Sequence, residues 1–176
     1  MISLRKTLAP KIFAPKIFAI AALAGLVASC ATAHRLDAAN DVHALLVSIR
    51  DNDVAAFDAH VDRPALKREI QAKIEEKAAK RYGALAALAP GLAEFAGDTL
   101  VQPSVFKLVA QQYGYSEQTK IPGAVAIAGA LKPLPDGRVC AVKKKDGPCT
   151  LIFTKEDGVW KLTGFEGDMK DLKLKL

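Results

Sequence analysis

Between Gly137 and Phe165 the chain changes its apolar grammar, and that change constrains its fold more than any other feature. Upstream, apolar residues recur every third or fourth position, as a helix that buries one face requires. Downstream, in "RVCAVKKKDGPCTLIFTKEDGVWKLTGF", they alternate in short runs separated by turn residues. Alternation places successive side chains on opposite faces of a strand. The segment therefore predicts a three-strand meander: Arg138–Lys143, Cys149–Lys155 and Val159–Phe165. Asp157-Gly158 predicts a two-residue hairpin turn, because glycine takes positive φ without steric cost. In the tail, Leu172, Leu174 and Leu176 alternate with lysines and predict a further half-buried strand. Helices followed by an antiparallel sheet make an α+β fold, with N-terminal helices packed on a small C-terminal β-meander.

The helical half begins with Val42, Leu45, Leu46 and Ile49, which share one stripe from about Asn40 onward. "RDNDV" breaks that helix, and Asp53 is a fitting N-cap for a short second helix over Val54–His60. Asp62 and Pro64 open a longer, highly charged helix to about Tyr82, with the stripe Leu66, Ile70, Ile74 and Ala78. A helix over roughly Gly91–Leu100 and another from Pro103-Ser104 are expected next. "AVAIAGAL" (124–131) fits a short buried helix or an apolar strand, and periodicity alone does not decide.

The N-terminus reads as an address. The first eighteen residues carry Arg5, Lys6, Lys11 and Lys16 and no acid, and they hold the one internal repeat, Ala-Pro-Lys-Ile-Phe at 9–13 and 14–18. An apolar run, Ile17–Ala28, follows and ends at Ser29-Cys30. It is shorter than the roughly 20 apolar residues that cross a bilayer. A positive leader, a short apolar centre and a small-residue exit are the marks of a secretory signal.

"LVASC" (Leu26–Cys30) resembles the lipobox of bacterial lipoproteins, in which the cysteine is acylated and becomes the new N-terminus. The rival exit, "ATA" (31–33), would release a chain starting at His34. The expected organisation is a lipoprotein signal peptide over 1–29, a tether over 30–39, and one α+β domain over 40–176, helical to 131 and β-meander from 137. Lipidation at Cys30 would place the chain in the cell envelope, membrane-anchored and facing the periplasm. Alanine rather than aspartate after the cysteine leans toward the inner leaflet of the outer membrane, as the lipobox resemblance implies.

Charge and cysteine usage are read with the leader set apart. Four of the 25 basic residues and none of the 19 acids precede Cys30, which leaves 21 against 19. A net of about +2 gives no phosphate-binding surface, so a nucleic-acid partner is not expected. In an oxidising compartment the two remaining cysteines, Cys140 and Cys149, are expected to bridge. Placed opposite each other they would close the first hairpin of the meander, with eight residues between them.

Candidate reactive groups are few. His34 falls in the expected tether, and His43 and His60 near the first two helices, where surface or half-buried histidine is the default. Glu75-Glu76 and Asp51/Asp53 sit among lysines or at a helix break, which favours solvated faces over acid–base work. No serine or cysteine stands in a nucleophile elbow. Gly123 and Gly129 lack the spacing of a phosphate loop. No metal, cofactor or catalytic residue is expected. Trp160 is the single tryptophan, and on a meander strand it is expected as a core anchor beneath the helices.

"LLVSIRDNDVAAFDAHVDRPALKREIQAKI" (Leu45–Ile74), "TLVQPSVFKLVAQQYG" (Thr99–Gly114) and "GVWKLTGFEGD" (Gly158–Asp168) together resemble an uncharacterised family of exported bacterial proteins, known only as a domain of unknown function. Its pattern is a helix with a small-acid break, a Val-Asp step into a basic helix, and a late Trp-Lys-Leu strand. The resemblance brings no activity or site with it. The function expected from the residues is a lipid-anchored periplasmic binding or accessory module without enzymatic activity, with an apolar ligand or a protein as partner. The alternatives are an envelope hydrolase using His60 with Asp62 or another nearby acid, and an envelope-stress or inhibitor protein acting by protein contact through a sheet edge or Lys143–Lys145.

Overall fold

The computed structural model describes residues 16–82, 94, 97, 99–112, 114–144 and 147–166, with residues 16–31, 81 and 82 described as backbone only. Five helices are complete in it: α1 (Lys16–Asp51), α2 (Val54–Ala59), α3 (Arg63–Tyr82), α4 (Pro103–Gln112) and α5 (Ala124–Ala130). Four strands follow: β1 (Leu131–Pro133), β2 (Val139–Val142), β3 (Cys149–Glu156) and β4 (Val159–Phe165). They form one antiparallel sheet in the order β1-β2-β3-β4. The α+β plan of helices first and sheet second is the one expected.

The two motifs that punctuate the helical half have plain local causes. In "RDND", Asn52 takes φ 54° while the Asp53 amide reaches back to the Ser48 carbonyl, ending α1 in a left-handed cap. Asp53 then accepts the Ala56 amide and starts α2. In "HVDRPAL", Asp62 Oδ1 accepts the Ala65 amide at 2.9 Å and so caps α3, with Pro64 in the first turn where its missing N–H costs nothing.

A single core joins the layers. Val42, Leu45 and Ile49 of α1, Phe57 of α2, and Leu66 and Ile70 of α3 are buried against Val139, Phe153, Trp160 and Leu162 of the sheet. Ile127 and Ala128 of α5 complete it, so "AVAIAGAL" resolves as a helix over Ala124–Ala130, with Leu131 capping it and opening β1. The Asp157-Gly158 turn has both residues at positive φ, 51° and 86°, between paired Glu156 and Val159. The twist of such a turn matches that of the strands it joins.

Four sequence expectations need correction or placing. Residues 31–39, expected as a tether, continue α1. Ala38 and Ala39 are fully buried, because small side chains let the helix approach the core closely. The cysteines are bonded, with Cα atoms 5.5 Å apart, yet they do not lie opposite each other. A bulge at Ala141/Val142 slips the ladder, so Cys140 faces Ile152 and Cys149 faces Val142. The "DLKLKL" strand lies outside the described residues. So does most of the helix expected over 91–100, although Glu94, Gly97, Thr99 and Leu100 are helical.

Candidate functional site

The outer edge of β4 would be a row of unpaired backbone groups, which sheets ordinarily protect. Here residues of α1, of the α2–α3 connection and of α3 cover it. The Trp160 amide donates to Asp41 Oδ2 at 2.8 Å, and the Leu162 amide donates to the His60 carbonyl at 2.9 Å. The Asp62 amide returns a bond to the Leu162 carbonyl, making Val61 a one-residue parallel partner of Leu162. The Phe165 amide donates to Glu69 Oε2 at 3.0 Å. The Val-Asp step and the Trp-Lys-Leu strand are therefore two halves of one joint.

Trp160 lies at the end of that joint and is 1% exposed. Its indole Nε1 donates to Asp37 Oδ2 at 2.8 Å, and the His34 ring meets it edge-on at 4.8 Å between centroids. Lys155 Nζ donates to the same Asp37 oxygen at 2.7 Å. These bonds, the lysine's first and the indole's second, hold the Asp37 carboxyl below its ordinary range. Asp37 and Asp41 are partners that reading the sequence missed. Their spacing of four puts them on one helix face, which was the available signal.

His60 and Asp62, the candidate acid–base residues, are occupied structurally. The His60 Nδ1 lies 2.8 Å from the Ala56 carbonyl, which can only accept, so Nδ1 carries the proton. Its Nε2 faces Asp41 Oδ1 at 3.9 Å rather than open space. The Asp62 carboxylate is the cap of α3. His43 Nδ1 donates to the Pro122 carbonyl at 2.9 Å and pins the loop after α4 to α1. Of the expected solvated acids, Asp51 pairs with Arg50, Asp53 caps α2, and exposed Glu76 pairs with Lys80. Among the described residues no group of three or more His, Cys, Asp or Glu is placed to hold a metal ion.

A groove lies between α1, α4 and the loop that follows α4. Leu46 and Ile49 form one wall, Ala110 and Gln111 the other, and Tyr115, Ile121 and Pro122 close it over a volume of about 250 Å³. The loop folds back because Gly114 takes φ 87° while the Gly114 and Tyr115 amides bond the Gln111 and Ala110 carbonyls, a Schellman ending. Lys107 then binds Glu117 at 2.7 Å and ties the loop to the helix. Arg50 and Asp51, 2.7 Å apart, stand beside that pair at the mouth. Hydrogen bonds from Arg50 and Lys107 hold the Asp51 and Glu117 carboxyls below their ordinary values. The arrangement offers an apolar floor under a rim of mixed charge, suited to a ligand with an apolar body and a polar end. The hydroxyls of Ser116 and Thr119 bond each other across 3.2 Å.

Cys30 falls within the helical span of α1, its side chain outside the described positions. Among the described residues no helix is long and apolar enough to cross a membrane. No curated protein and no solved structure matches the chain. A family model described as "Protein of unknown function (DUF2939)" matches residues 20–110, a span that takes in α1 to most of α4 and leaves the sheet outside. Just over half of the chain is thereby covered, and the chain belongs to this family of proteins of unknown function.

Proposed function

We propose that the chain is a binding or accessory module of the bacterial cell envelope. In this reading it is held by acyl chains on Cys30 at the inner leaflet of the outer membrane, faces the periplasm, and catalyses no reaction. The observation that carries the binding role is the groove between α1 and α4, with Leu46, Ile49, Ala110, Ile121 and Pro122 beneath a rim of Arg50, Asp51, Lys107 and Glu117. Its volume suits an acyl segment or one or two apolar side chains of a peptide. The leader and the Leu26–Cys30 lipobox support the anchor. The Cys140–Cys149 bond is in keeping with an exported compartment.

The hydrolase reading is weaker. A general base must point a free lone pair at its substrate, and His60 directs Nε2 at Asp41 while Asp62 caps a helix. Contact through the β4 edge is weaker too, since Asp41, His60, Asp62 and Glu69 occupy it.

Two measurements test the proposal. Intact mass of the chain isolated from whole bacterial cells should show an acylated N-terminal Cys30; an unmodified chain starting at His34 overturns the anchor. Titration with N-phenyl-1-naphthylamine should give saturable fluorescence that Ala110→Trp, which fills the groove, abolishes. Equal binding by that variant, or none by the native chain, overturns the groove.

A further inference from the structure

This inference rests on the lipid anchor just proposed and goes beyond it by fixing which end of the domain meets the membrane. The packed body begins very early in the chain. His34 is already stacked on Trp160, Asp37 is bonded to Trp160 and Lys155, and Ala38 and Ala39 are fully buried. Only Ala31, Thr32 and Ala33 separate Cys30 from that body. Four residue steps span about 6 Å as helix, at about 1.5 Å each, and at most about 14 Å fully extended. Each headgroup layer of a bilayer is itself about 5–8 Å thick. A cysteine whose acyl chains are in the leaflet therefore leaves the body no room to stand away from the surface.

The same contacts identify what else lies at that end. Trp160 is fixed to α1 through both Asp37 and Asp41, and the Asp157-Gly158 turn is two residues from it. The exposed turn therefore accompanies α1 where Asp37 and Asp41 lie. Among the described residues, charges nearby are balanced: Arg35, Lys155 and Lys161 against Asp37, Glu156 and Asp157. Apposition is thus set by the short connection rather than by attraction to anionic lipid. At the other end, Arg50 lies sixteen residues further along α1, about 24 Å up the helix axis.

We propose that the His34–Asp37 turn of α1 and the β3–β4 turn form a membrane-apposed end, and that the α1/α4 groove, from Leu46 to Arg50, is presented about 18–24 Å away toward the aqueous compartment. A ligand then reaches the groove from the aqueous side, not by lateral entry from the leaflet that holds the anchor.

The test uses the full-length acylated protein in vesicles of phosphatidylethanolamine and phosphatidylglycerol carrying a rhodamine-headgroup lipid. Asp157→Cys and Gln112→Cys variants are each labelled with a fluorescent donor, with Cys140 and Cys149 oxidised and Cys30 acylated. Energy transfer from position 157 should be at least twofold that from position 112, at low salt and in about 0.5 M salt alike, where surface charge is screened. Eight Gly/Ser residues inserted between Ala33 and His34 should bring the ratio toward one. Equal or reversed transfer in protein shown by mass to be acylated and bound to vesicles overturns the orientation and leaves the anchor standing. Protein lacking acyl mass overturns both.

Discussion

Asp37 and Trp160, 123 positions apart in the chain, are joined by a 2.8 Å hydrogen bond from the indole Nε1 to the carboxylate. The same carboxylate oxygen also receives Lys155, so one helical acid organises the turn end of the sheet. Because both bonds favour the ionised form, the folded carboxyl titrates below its ordinary value of 3.8. A group whose folded pKa is depressed contributes stability that is complete above its unfolded pKa. That stability is lost as pH falls through the folded value. Asp37→Asn should therefore leave a chain whose stability declines less steeply below about pH 4 than the native one. Urea midpoints measured from pH 6 to pH 2.5 check this; parallel acid limbs would show that the carboxylate contributes nothing. The carboxylate is half exposed, so the difference should be well under the 1.36 kcal/mol that one pKa unit represents.

Glu69 accepts the Phe165 amide, and a Cβ at Gly164 would lie 2.6 Å from that same Oε2. Gly164→Ala should push the carboxylate off the strand, because the tip of a glutamate moves more readily than backbone. Glu69→Ala removes the acceptor outright, and leaving a half-buried amide unpaired costs about 1–2 kcal/mol. Glu69→Gln keeps an oxygen there and should cost less than half as much. The alanine changes share one mechanism, so the double variant should be clearly less destabilised than the sum of the singles. Denaturant midpoints give the cycle, and faster hydrogen exchange at the Phe165 amide identifies the broken bond.

Much of this joint was visible in the sequence as separate pieces. Periodicity marked the stripes of α1 and α3 and the alternation of β2–β4, because those patterns follow from local backbone geometry. Asp53 and the Asp157-Gly158 turn were legible for the same reason. Residues 31–39 were not, since an alanine-rich exit from a leader looks like a spacer until a core is there to bury Ala38 and Ala39. β1 is three residues long and ends in Pro133, too short to alternate. Asp37 fell in the expected tether, and nothing local to it or to Asp41 pointed to Trp160, a partner more than a hundred residues away. The groove was illegible too, since the loop at 114–122 is placed by Gly114, His43 and Lys107 from three different segments.

The Cys140–Cys149 bond closes a loop nine positions long in the chain. By loop-closure entropy that constraint is worth about 2.5–3 kcal/mol, mostly by restricting the unfolded chain. Replacing both cysteines with alanine should lower the unfolding free energy obtained from denaturant titration by that amount or slightly more, because Cys140 is fully buried and its replacement is smaller. Reductant should destabilise the native chain and leave the double variant unchanged. The helical half should keep its circular dichroism in both cases at low denaturant, since the core of α1, α2 and α3 does not include the bridge.

Arg63 joins three parts of the fold through one planar group. Its Nε donates to Asp58 at 2.6 Å, its Nη1 donates to the Val101 carbonyl at 2.5 Å, and its guanidinium lies 5.6 Å from the centre of the Phe57 ring. Phe57 is fully buried and meets Phe106 edge-on at 5.3 Å, so this cluster connects α2 and α3 to the start of α4. A lysine carries the same charge on a single tetrahedral nitrogen, which cannot lie flat on the ring and reach both acceptors. Arg63→Lys should therefore cost about 1–2 kcal/mol, the sum of one charge-assisted hydrogen bond and a weakened cation–π contact. The exposed pair with Asp58 adds little, so Asp58→Ala should cost less than about 0.5 kcal/mol. Urea denaturation of the two single variants separates the contributions. Equal losses would mean that the surface ion pair, rather than the Val101 and Phe57 contacts, is what Arg63 supplies.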